Sequence, residues 1–136
     1  MNTWQIPAIL ALLVFGLWGF FPKLAVNHIS PASALVYEVA GASLVGLVIY
    51  LFPGFTLETE PRGILFAVLT GLCGMLGTLF FLAAAKQGRI AIVVSVTALY
   101  PLVTIILARI FLAEPLSVKN LFGMALALPA IALLSG

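Results

Sequence analysis

Five long apolar runs, separated by short polar punctuation, occupy nearly the whole chain: Ile6 to about Val26, Ala32 to Phe52, Gly63 to Ala85, Ile90 to Ala113 and about Lys119 to Ser135. At about 1.5 Å per helical residue, the middle three can cross a hydrocarbon core of roughly 30 Å, some with tilt. The fifth reaches only about 25 Å and is the marginal one. Backbone amides in lipid must pair within their own segment, so runs of this length predict helices. The punctuation agrees. Ser30-Pro31 offers a cap ahead of a first-turn proline, Glu60-Pro61 repeats the arrangement, Pro53-Gly54 ends the second run, Glu114-Pro115 ends the fourth, and Ser117 can cap the fifth. The short turn Lys86–Arg89 predicts an antiparallel hairpin of spans three and four. The expected architecture is one all-α integral membrane domain of five transmembrane helices over residues 1–136.

Composition removes the soluble alternative. Apolar residues make up 64% of the chain and charged ones 7%, with a mean hydropathy of +1.30, where a soluble domain carries about 25% charge. Such a chain cannot cover its own surface in water. The first residues lack a basic side chain and an Ala-x-Ala-like end, so the first run is expected to stay in place as a span rather than be cleaved. Six basic residues against four acids leave a net charge of +2 with no cluster, which argues against nucleic acid as a partner. Cys73 is a lone cysteine, expected to serve as a small packing residue, and His28 has no companion ligand, so neither metal nor cofactor is expected. The basic residues divide evenly between the two faces: Lys23, Lys86 and Arg89 on one, Arg62, Arg109 and Lys119 on the other. That balance sets no orientation, and it suggests insertion both ways with antiparallel pairing.

Glu38 is the one acid inside any of the five runs. A carboxylate at membrane depth costs several kcal/mol unless it meets protein, water or a cation, so it marks a pathway. Such a group can bind a proton or a cation. Its rival role is a structural ion pair, or a gate, with Lys23 on the neighbouring span. In span one, Pro22 removes an internal hydrogen bond beside Trp18, a kink that either exposes carbonyls to a cavity or is an ordinary bend. Gly71, Gly74 and Gly77 form a stripe suited to close helix packing. Thr97, Tyr100 and Thr104, at intervals of three and four, share one face of span four, and Pro101 beside them can loosen the local hydrogen-bond ladder. Tyr100 can line a pocket, while the threonines can equally satisfy their own helix.

The motif order resembles a single EamA-type domain of the drug/metabolite transporter superfamily. The resemblance is carried by Leu17–Ala25 (LWGFFPKLA), Ala85–Gly88 (AKQG), Ala98–Thr104 (ALYPLVT) running on to Phe111–Ser117 (FLAEPLS), and Phe122–Leu128 (FGMALAL), and it covers all five spans. It implies half of the usual ten-helix transporter, with a second inverted half supplied by another copy of the chain. The small four-helix exporters of the superfamily keep a glutamate in span one. Here span one has no acid, and that role does not transfer to Glu38 by position.

The resulting expectation is a transporter of small organic metabolites working by alternating access, with protons as the candidate coupling ion, assembled as an antiparallel homodimer in the cell inner (plasma) membrane. Glu38 would bind the proton or the substrate's positive group, with Tyr100, Thr104, Thr97 and Trp18 lining the path. Two alternatives stand beside it: an exporter of hydrophobic cations, and a non-conducting packing or assembly module in which Glu38 stays paired. No His/Asp, Ser/Lys or paired-aspartate constellation suggests an enzyme.

Overall fold

A computed structural model describes residues 3–135 of the chain. All regular structure among them is helical: α1 (Gln5–His28), α2 (Pro31–Tyr50), α3 (Pro61–Gln87), α4 (Ile90–Thr97), α5 (Tyr100–Phe111) and α6 (Val118–Ser135). The all-α, five-span reading holds once α4 and α5 are taken as two halves of one apolar span, Ile90–Phe111. With that span counted whole, four helices are long and apolar enough to cross a membrane, and α6 is a shorter apolar helix. The chain divides into two compact units, the first ending at Gln87 and the second beginning at Gly88.

Local chemistry sets the helix ends. The Ser30 hydroxyl accepts from the Ser33 amide at 3.1 Å, with Pro31 as the first helical residue of α2. The Glu60 carboxylate accepts from the Gly63 amide before α3, and Ser117 accepts from Asn120 at 3.2 Å before α6. After α2, the Phe55 amide closes on the Phe52 carbonyl at 3.0 Å around Pro53 and Gly54. Gly54 has φ +84°, the geometry that a type II turn asks of its third residue.

In the first unit α1, α2 and α3 pack on one another. Trp18 lies against Phe81, Lys23 against Ala85 and Lys86 against Ile29, so α1 and α3 run parallel. Among the described residues, every buried one falls at one end of this unit: Pro22 and Val26 on α1, Ala34 on α2, and Thr78, Phe81, Leu82 and Ala85 on α3. Ala34 and Ala85 are small where the helices meet, which lets backbones approach closely. Two lysines cross the same end. Lys23 Nζ donates to the Ala85 carbonyl oxygen at 2.7 Å, and Lys86 Nζ donates to the Ile29 carbonyl oxygen at 3.3 Å. Each ammonium thus sits at the C-terminal end of the other lysine's helix, where carbonyls lack internal partners and the dipole favours a cation. Residues 41–74 are all exposed.

In the second unit α4 packs on α6. The fourth span is not continuous: it breaks at Ala98-Leu99. Pro101 has no N–H for the Thr97 carbonyl four residues earlier, which accounts for the interruption. The turn places Thr97 at the end of α4, and Tyr100 and Thr104 on α5. At the far end of α5, Arg109 reaches Glu114 through the backbone carbonyl, at 3.3 Å.

Candidate functional site

Pro22 cannot supply the α1 hydrogen bond to the Trp18 carbonyl, so the turn carrying Trp18 is the loosened one. From that turn the indole Nε1 donates to Glu38 Oε1 at 2.7 Å. Its ring stacks on Phe81, with centroids 5.3 Å apart and planes inclined by 28°. One tryptophan on α1 thus links the carboxylate of α2 to an aromatic ring of α3. An aromatic pair of this kind contributes about 0.5–1.5 kcal/mol beyond its buried area.

A cleft of about 310 Å³ opens at this junction. Its α1 wall is Trp18, Phe21, Pro22 and Ala25, while α2 contributes Ala34, Tyr37 and Glu38 and α3 contributes Leu82. Glu38 is half-buried there, about 10 Å along its helix from Pro31. Its Oε2 has no donor among the described residues and is not sealed from solvent. The site therefore presents one held and one accessible carboxylate oxygen against a largely apolar wall that carries three aromatic rings. That arrangement can take a proton or a cationic group.

Trp18 and Glu38, singled out separately in the sequence, are brought together. Glu38 and Lys23 take different hydrogen-bond partners: the carboxylate meets Trp18, and the ammonium meets Ala85. Tyr100, Thr97 and Thr104 belong to the second unit. The Thr97 hydroxyl donates to the Val93 and Val94 carbonyls at 2.9 and 3.1 Å, and Thr104 donates to the Tyr100 carbonyl at 3.4 Å, so both hydroxyls bond within their own helix. Thr104 also stands on the wall of a second cavity, about 650 Å³ between α5 and α6, which neither Tyr100 nor Thr97 lines. At Gly71, Gly74 and Gly77 an added methyl would meet no atom within 4 Å, so no described residue packs on that stripe. Cys73 is exposed rather than packed. Among the described residues no group of three His, Cys, Asp or Glu is placed to hold a metal.

Phe81, Phe21 and Tyr37 escaped the sequence reading. Tyr37 had one signal, its place beside Glu38. Phe81 had another, since it lies four residues before Ala85 and so on the same face of α3.

The profile of the EamA-like transporter family matches residues 2–136. An uncharacterized protein of Methanocaldococcus jannaschii is 24% identical over 135 residues, spanning 99% of this chain and 98% of its own length. Uncharacterized transporters from two strains of Helicobacter pylori are 27% and 28% identical over 131 residues. The match takes in 93% of this chain but 43% of each of those relatives. No solved structure matches significantly.

Proposed function

Since the chain belongs to the EamA-like transporter family, a family of multi-pass membrane proteins whose general function is transport, we propose that it is one protomer of an alternating-access carrier for a small organic metabolite. The observation that carries this reading is Glu38, a carboxylate set within an apolar span and half-buried in a cleft of about 310 Å³. Holding a charge there is costly without a task for it. Glu38 binds the coupling proton or the substrate's positive group, and Trp18 holds the carboxylate toward the cleft.

Two copies, inserted antiparallel, supply the two halves of the carrier. This chain matches 43% of the length of the Helicobacter pylori transporters, so a second copy stands where those proteins have further chain. The equal division of Lys and Arg between the two faces permits both orientations, and inverted repeats are the usual basis of alternating access. The proposed location is the cell inner (plasma) membrane. The substrate passes through unchanged, without an enzymatic step.

Flux into liposomes holding the purified chain tests the reading, with a metabolite panel and a pH gradient. Glu38→Gln should abolish coupled uptake while leaving assembly intact. Undiminished coupled transport by that variant would remove Glu38 from the mechanism. Absence of flux for every compound would instead favour a non-conducting packing module.

A further inference from the structure

We propose that the cleft of the first unit selects small amines that carry one positive charge and an apolar or aromatic body, and rejects anions and zwitterions such as amino acids. The proposal rests on the reading of Glu38 as a binding carboxylate and names the ligand class of that same site.

Charge is the first argument. Glu38 is the sole charged residue on the cleft wall. Its Oε1 is engaged by Trp18, while Oε2 is accessible and has no donor among the described residues. A carboxylate only accepts, so the ligand must donate, and an ammonium both donates and cancels the charge. Wall chemistry is the second argument. Trp18, Phe21 and Tyr37 offer aromatic faces, which attract a cation within about 6 Å of the ring and also bury an apolar body. The third is what the wall lacks. No Lys or Arg lines it, and the Trp18 N–H is already given to Glu38, leaving the Tyr37 hydroxyl as the other side-chain donor. A ligand carboxylate would meet that single hydroxyl and the repulsion of Glu38. Size is the last. A volume of about 310 Å³ lies at the small end of ligand sites, enough for one ring and a short chain.

The cleft is built wholly from residues of the first unit, so binding can be read without any flux. Trp18 is itself the reporter, because the chain has two tryptophans and Trp4→Phe silences the other, which lies outside the cleft. The full-length Trp4→Phe protein in phosphatidylcholine nanodiscs is titrated with 2-phenylethylamine, 2-phenylethanol, phenylacetate and phenylalanine, following indole fluorescence. The amine should saturate the signal, and the other three should bind at least about tenfold more weakly, the difference expected for one charge-assisted hydrogen bond. Adding Glu38→Gln should weaken the amine by a similar factor and bring it level with the alcohol. The preference series needs only the unaltered carboxylate, so it decides the matter even if that variant misfolds. Equal binding of amine and alcohol would overturn the proposal, pointing to a slot for lipid tails. Tighter binding of phenylalanine or phenylacetate would overturn it as well. Amine binding without transport would fail the carrier reading alone; transport of another class without amine binding would fail this assignment alone.

Discussion

The two ends of the three-helix unit are built on different principles. At one end, residues 18–38 and 78–86 hold all the fully buried positions among the described residues, the crossed lysines, the Trp18–Glu38 bond and the cleft. Along residues 41–74, nothing is buried at all. Both stretches are apolar, so hydropathy does not separate them. In lipid, hydrophobicity gives helices no reason to prefer each other over acyl chains; close backbone contact and interhelical hydrogen bonds do. The contrast teaches that the arrangement of helices is specified over a short length, where small residues and polar groups coincide, and that the remaining length is specified to suit a solvent.

That contrast can be broken by substitution, and the largest effect belongs to the tightest contact. Ala85 is fully buried, so Ala85→Leu should cost about 1–3 kcal/mol of stability by overpacking, read as reversible unfolding in mixed micelles. A neutral result would mean the packed end is not a true contact. Next come the lysines. Lys23→Met and Lys86→Met should each cost about 0.6 kcal/mol and no more than about 1.7, the range of interhelical hydrogen bonds in membranes, and the double variant should depart from their sum. Strict additivity would separate the two bonds. Trp18→Phe retains a ring for Phe81 but deletes the donor to Glu38, a loss of about 0.5–1.5 kcal/mol. It should spare the fold and shift substrate or proton affinity in the flux assay; unchanged affinity would make Trp18 a packing residue only. The smallest effect lies on the open stretch, where Gly71→Ala, Gly74→Ala and Gly77→Ala should each stay within about 0.5 kcal/mol. A larger loss, appearing together with loss of a dimer on crosslinking, would show that a second chain covers the stripe.

The helices were legible in the sequence because their causes are local. Ser30, Glu60 and Ser117 cap the turns beside them, and Pro53-Gly54 makes its own turn, so these features follow from neighbours along the chain. Pro101 also signalled a loosened ladder, but only the structure shows that the loosening becomes a break at Ala98-Leu99. The site was half legible. A lone acid in a span drew attention to Glu38, yet its partner depends on how α1 and α2 are rotated about their axes. A shift of one residue turns a helix by about 100°, enough to send an indole elsewhere. The same freedom brought Lys23 onto the Ala85 carbonyl, and it kept Phe81 out of the sequence reading.

The crossed lysines carry a consequence for the manner in which this end can open. Each ammonium rides on one helix and holds the last turn of the other, with Lys23 on Ala85 and Lys86 on Ile29. Moving α1 away from α3 strains both bonds together, since neither helix owns both ends of either one. Their strengths therefore act in parallel, and no route of separation spends them one after the other. A boundary of that kind resists small displacements, and it opens only when both bonds give way together.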